Sequence, residues 1–188
     1  MLTYQGSDMR VISRTALTTN QPFDFVRLAM HLRIPIADGA EAGPMAEAAA
    51  REIELYAGLA LLDQTIVAES DPAPGAALRI PVNPVQTITS VETVAEDGTV
   101  ATFTEGWHLR EGRLAELRLS AEPAEAIRVT YTAGYGDTVT DVPEDLALAV
   151  LDQALRLYDL RGDLADTPPT PSPAFARIAA RYRAVRLS

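Results

Sequence analysis

Ile127-Arg128-Val129-Thr130-Tyr131-Thr132-Ala133-Gly134-Tyr135-Gly136, followed six residues on by Pro143-Glu144-Asp145-Leu146, is the stretch that decides the fold. From Ile127 to Thr132 apolar and polar side chains alternate, which predicts a half-buried strand. Gly134 and Gly136 then mark a turn. Pro143 suits a first helical position, where its missing N–H costs nothing, and Glu144 and Asp145 favour the positive end of a helix dipole. Leu146, Val150, Ala154, Leu157 and Tyr158 recur at helical spacing, and Gly162 supplies a stop. A strand that turns into a helix over 143–161 is therefore expected.

Working outward, the same two periods divide the rest of the chain. Upstream, residues 64–135 read with a period of two. Leu78 to Ile80, Thr87 to Val94, Val100 to Phe103, Trp107 to Arg110 and Leu114 to Leu119 are short strands, joined at Glu96-Asp97-Gly98-Thr99 and Glu111-Gly112-Arg113 by tight turns. Before them lie two predicted helices. One spans 22–34, opening at Pro22, stopping before Pro35 and burying Phe25, Leu28 and Leu32. The other spans 44–62 and places Ala46, Ala49, Ala50, Ile53, Ala57 and Leu61 on one side; the two are expected to pair antiparallel. Downstream, Asp166-Thr167-Pro168-Pro169-Thr170-Pro171-Ser172-Pro173 reads as a stiff spacer. A last helix carries Phe175, Ile178, Tyr182 and Val185 on one face. The fold class is α+β: a small helical bundle with an inserted antiparallel β-sheet or sandwich and a C-terminal helix on a Pro-rich spacer. The expected organisation is a domain over 1–165, a spacer over 166–173 and a basic segment over 174–188.

Charge adds a second layer. The chain has 188 residues with 16 basic and 26 acidic side chains, a formal net charge of -10. Every basic residue is Arg, and Cys is absent. Without Cys there is no disulfide scaffold, thiolate metal site or Cys nucleophile. With 47% apolar and 22% charged residues the composition is globular. No apolar run reaches the ~18 residues of a membrane span, and no signal-peptide core opens the chain, so a soluble, intracellularly made protein is expected. The acids are not spread evenly. Residues 174–188 carry Arg177, Arg181, Arg183 and Arg186 with no acid, a local +4 beside a body of -14. Such asymmetry marks an interaction tail or a solvated helix end.

Catalytic signals are weak. His31 and His108 lie in different elements without metal-ligand spacing. No nucleophile elbow or phosphate-binding glycine loop is present, and Gly134-Tyr135-Gly136 lacks the Lys such a loop needs. Glu96/Asp97 sit at a hairpin tip and Glu144/Asp145 in a first helical turn, so both acidic pairs have local explanations. No catalytic, cofactor-binding or metal site is expected, and no enzyme. Interaction chemistry remains: Phe175 and Tyr182 as anchors, with the four Arg around them. The last helix either reaches a neighbouring subunit or folds back on its own domain.

Three passages together resemble a known family. His31-Leu32-Arg33-Ile34 precedes an Ala-rich helix containing Glu52 and Ile53. Leu78-Arg79-Ile80-Pro81-Val82-Asn83-Pro84-Val85 leads into the Ser90-Val91 strand. Val129 to Gly136 is followed by Val142-Pro143 and a helix with Ala149, Leu155, Tyr158 and Arg161. In this order they are similar to phage head–tail connector (adaptor) proteins, over roughly residues 22–162 and again at Tyr182-Arg183. The Lys-free, Arg- and Ala-rich composition looks like the adaptors of alphaproteobacterial gene transfer agents. The first 20 residues, and Asp24-Phe25-Val26-Arg27, depart from the pattern.

The resemblance implies a non-enzymatic ring, commonly of about twelve copies, in the neck of a virion or phage-like particle assembled in the bacterial cytoplasm. Its implied partners are the portal protein, a downstream neck, stopper or tail protein, further copies of itself, and double-stranded DNA passing through without specific binding. It also implies that Phe175, Arg177, Ile178, Arg181, Tyr182, Arg183 and Arg186 bind the portal, and that the Thr-rich strands face neighbouring subunits or the next ring. Such a ring would carry on the order of -120 before counter-ions, enough to keep phosphates from sticking to acidic walls. The alternative is an acidic module that imitates DNA and blocks a nucleic-acid enzyme.

Overall fold

The computed structural model describes residues 7–71, 77–112, 114–120, 125–160 and 170–183. The chain forms two compact units, Met1–Thr18 with Asp63–Gly134, and Thr19–Leu62 with Tyr135–Ser188. The fold is α+β, with the strands in the first unit and the helices in the second.

The first unit holds β1 (Ser7–Asp8), β2 (Arg10–Ala16), β3 (Gln64–Glu69), β4 (Ala77–Arg79), β5 (Val85–Val94), β6 (Val100–Thr102), β7 (Trp107–Arg110), β8 (Glu116–Leu119) and β9 (Ala126–Ala133). They make a five-stranded sheet in the order β2-β3-β9-β5-β6 and a four-stranded sheet in the order β1-β4-β8-β7. Pairing is antiparallel as expected, except that β1 runs parallel to β4.

The deciding strand, β9, is central, with β3 on one side and β5 on the other. Its alternation is realised: Ile127, Val129, Tyr131 and Ala133 are buried, while Arg128, Thr130 and Thr132 are half-buried. With Ile66, Ala68 and Val91 of the same sheet and Leu78, Leu117 and Leu119 of the other, they supply this unit's core.

Two of the passages that carry the family resemblance meet here. The Val82 N–H donates to the Tyr131 hydroxyl at 3.2 Å, and the Gly134 N–H donates to the Pro84 carbonyl at 3.1 Å. Asn83, buried between them and β8, donates to the Ile80 carbonyl and accepts from the Ala115 N–H. Burial pushes the Tyr131 phenol well above its ordinary pKa. Gly134 has φ 149°, and a Cβ there would lie 2.7 Å from the Asp63 backbone. The Gln86 amide closes this corner, donating to Asp63 Oδ1 at 2.6 Å and to the Gly134 carbonyl at 3.0 Å.

The sheet also takes in β2, in a region where the sequence suggests no element. All but one of its side chains are exposed. It therefore lacks the buried–exposed alternation by which a strand is read, and backbone pairing to β3 is what places it.

The second unit holds α1 (Phe25–Leu32), α2 (Gly43–Ala57), α3 (Glu144–Asp159) and α4 (Pro173–Tyr182). α3 is the hub, packing against the other three helices. The expected α1–α2 pair does not form; α1 lies on α3 instead. The first helix begins later than Pro22 because the Asp24 side chain caps it, accepting from the Arg27 N–H at 2.8 Å. Phe25 is 41% exposed and sits edge-on to Phe23, so it stands outside the buried stripe of Leu28, Ala29 and Leu32. α2 stops at Ala57, short of the expected 62, where the Gly58 N–H bonds back to Glu54. Leu59, Leu61 and Leu62 extend the apolar pattern but are buried in the following loop, where Glu54 Oε1 accepts from the Leu61 N–H at 2.8 Å. The Ala face of α2 is buried as expected. Gly162, Arg161 and most of the Pro-rich spacer lie outside the described residues.

Candidate interaction surface

α4 is fixed from its first residue. The Ser172 hydroxyl accepts from the Phe175 N–H at 3.0 Å, and Pro173 occupies the first helical turn. The Ser172 N–H donates to Gln153 Oε1 at 2.8 Å, and the Gln153 amide nitrogen donates to Glu52 Oε2 at 2.7 Å. Ser172 and Gln153 are both buried, and this chain satisfies both ends of the amide. Phe175 and Ile178, each 2% exposed, and Ala179 join the core of α2 and α3. The last helix thus folds back on its own unit.

This burial sorts the residues that the resemblance assigned to the portal. Phe175 and Ile178 face inward. Tyr182 is half-buried, and its hydroxyl donates to Asp145 Oδ1 at 2.7 Å; burial, with that bond and the carboxylate's charge, pushes its pKa well up. Arg177 and Arg181 stand one turn apart on the exposed face of α4. Arg183 is also exposed, its guanidinium 5.0 Å above the Tyr56 ring. Arg186 lies outside the described residues, as does Val185.

The Arg groups have apolar company that the sequence reading missed. Tyr56 on α2 is 40% exposed and lies 6.1 Å from the Phe175 ring, and Leu55 beside it is 77% exposed. The signal was available: Leu55 falls off the buried stripe of an otherwise regular amphipathic helix. Arg183 and Tyr56 make a surface cation–aromatic pair, and Tyr and Arg are the residue types that carry much of the binding energy at protein interfaces.

The other singled-out residues do not converge. His31 is half-buried at the end of α1, with its Nε2 lacking a hydrogen-bond partner among the described residues, while His108 is exposed on β7 in the other unit. Asp97 accepts from the Thr99 N–H at 2.8 Å, which shapes the hairpin and, with the Thr99 side chain, holds the carboxyl below its ordinary pKa. Glu144 pairs with Arg27 at 2.8 Å on the surface, and Asp145 receives Tyr182. Among the described residues no group of three His, Asp or Glu could hold a metal ion, and no helix is long and apolar enough to cross a membrane.

A comparison with solved structures places this architecture. A chain from the virion of a native gene transfer agent particle superimposes with a TM-score of 0.73 at 24% identity, covering 94% of this chain and 98% of that one. A chain from the neck of an empty particle, computed with C6 symmetry, gives 0.74 at 23% identity, and one from the neck of a native particle, computed with C12 symmetry, gives 0.69 at 22%, both with the same coverage. The chain has the fold of a gene transfer agent neck protein. At 94% of this chain the match spans both units. No protein-family model and no curated protein matches the chain.

Proposed function

We propose that this chain is a structural head–tail connector that assembles as a ring of about twelve copies in the neck of a virion or gene transfer agent-like particle. The single observation that carries the reading is the fold shared with neck chains over 94% of this chain. The C12 symmetry of one of those necks supports the copy number. In this reading the ring joins the portal to the next neck or tail protein and leaves a channel for double-stranded DNA. Its work is mechanical rather than catalytic, in keeping with the local structural roles of the acidic pairs. The net charge of -10 per copy suits walls that DNA must pass without adhering, with acids facing the lumen.

The portal contact falls to the exposed part of the C-terminal segment: Arg177, Arg181 and Arg183, with Tyr182 at its edge and Arg186 beyond. Phe175 and Ile178 act indirectly, by seating the helix that displays the arginines. Deleting 174–188 would strip the core along with the contact, so charge-only replacement is the sharper test. Replacing Arg177, Arg181 and Arg183 with Ala should leave circular dichroism and melting temperature nearly unchanged while binding to the portal protein of the same particle falls at least tenfold. Undiminished binding would refute the assignment.

A further inference from the structure

Among the described residues the five-stranded sheet has two open sides, and they differ in charge. On one side β2 carries Arg10 and Arg14 and no acid. Glu69 on β3 accepts from both Arg10, at 3.2 Å, and Arg128, at 2.9 Å, so one carboxylate answers two guanidiniums. Burial of Glu69 opposes its ionisation, but those bonds outweigh it and hold the carboxyl below its ordinary range. On the other side, β6 covers only Glu92–Val94 of β5, leaving Val85–Ser90 without a partner strand among the described residues. The stretch from residue 92 to 105 around that side holds Glu92, Glu96, Asp97 and Glu105 and no base.

β2 is built as a strand awaiting a neighbour. Val11 is 40% exposed and Ile12 49%, at a bulge where Ile12 is the extra residue against β3. Such a strand, without a partner strand on its outer edge among the described residues, is a template for another chain, and charge and bulges restrict which chain can pair.

We propose that the occupant is a second copy of this chain, the β2 edge of one copy pairing with the open side of β5 in the next. Through β3 and β9, β2 runs antiparallel to β5. Laid against β5 of an identically oriented copy, it therefore continues the antiparallel ladder. That direction also brings the Arg10 end of β2 to the Glu92 end of β5. The seven residues of β2 match an open stretch of similar length. The contact joins two different surfaces, and a head-to-tail interface of this kind closes a ring when its rotation permits. The inference rests on the ring reading above and names the surfaces that would make it.

The chain contains no Cys, so disulfide trapping starts from a clean background. The variant carrying both Ile12→Cys and Thr89→Cys, oxidised at high protein concentration alone and on the portal, should yield a ladder of covalent dimers, trimers and higher species. Thr87→Cys in place of Thr89→Cys covers the neighbouring register. Either single variant should give at least tenfold less. Raising salt to ~0.5 M, where the Debye length falls to roughly 4 Å, should lower the yield of the double variant severalfold. A double variant that cross-links no better than the singles, or strong Ile12→Cys homodimers, would overturn the pairing. Rings seen on the portal without this cross-link would overturn the edges and keep the ring. A ladder without rings on the portal would keep the edges and overturn the neck reading.

Discussion

The hydroxyl of Tyr182 donates to Asp145 Oδ1 at 2.7 Å, tying the last residue of α4 to the first turn of α3. Ser172 and Gln153 hold the other end of α4, so the helix is pinned at both termini and packed between them. The part of the basic segment up to Arg183, which the sequence leaves either reaching out or folding back, is thus a fitted part of the helical unit. Losing the hydroxyl in Tyr182→Phe should cost about 1.5–3 kcal/mol, the range for a hydrogen bond to a charged group. The loss is measurable by denaturant unfolding followed through the tyrosines.

The same contact gives a pH dependence. Tyr182 and Tyr131 both have pKa values raised in the folded state. Above the ordinary tyrosine value of about 10 the unfolded chain loses protons that the folded chain keeps, so stability falls as pH rises further. Below pH ~10 these two groups contribute no slope. Urea midpoints between pH 8 and 11 should show a plateau and then a decline, and Tyr182→Phe should flatten part of that decline.

Phe175→Ala removes a buried ring from the junction of α2, α3 and α4. A loss of about 3–5 kcal/mol is expected. Arg177→Ala, on the exposed face of the same helix, should shift stability by no more than ~0.5 kcal/mol. Thermal melts of the two variants measure this contrast between seating and display.

Gly134→Ala places a Cβ 2.7 Å from the Asp63 backbone in a conformation that L residues rarely adopt. The corner cannot yield cheaply, because Gln86 and Pro84 also hold Gly134. A cost of at least ~2 kcal/mol is expected, with loss of soluble expression as the cruder readout. Gly98→Ala, at an open hairpin tip with φ 85° and nothing within 4 Å, should cost only its backbone strain, ~1 kcal/mol.

How far the sequence could be read follows from where burial and period coincide. β9 and α3 were legible because one face of each is buried, so composition and geometry repeat together. The tight turn at Asp97-Gly98 was legible from its chemistry. β2 was not, since a strand exposed on both faces leaves no pattern. The true end of α2 was hidden for the opposite reason: Leu59, Leu61 and Leu62 prolong an apolar rhythm that belongs to a buried loop. The α1–α2 pairing failed because adjacency in sequence says little about packing when a later helix, α3, offers the larger apolar face. The arginines of the candidate surface were visible as charges. The Tyr56 ring beneath Arg183 was not, because the pair joins parts of the chain more than a hundred residues apart.

Glu69 offers an acid-side test of the β2 edge. Its pKa is lowered in the folded state, so the stability it contributes is present above the ordinary glutamate value of about 4.3 and is lost as pH falls through the folded value. Glu69→Gln should leave Arg10 and Arg128 without their shared carboxylate, weaken the protein near neutral pH and reduce the slope of stability below pH ~5. Urea titrations at pH 3 to 7 compare the two proteins.

The most direct measurement of the central claim is electron microscopy of this chain mixed with the portal protein of the same particle. The connector account predicts a closed ring of about twelve copies seated on the portal around an open channel, as the C12 symmetry of a structurally similar neck suggests. A chain that stays monomeric beside the portal, or binds it singly without closing a ring, would contradict the account.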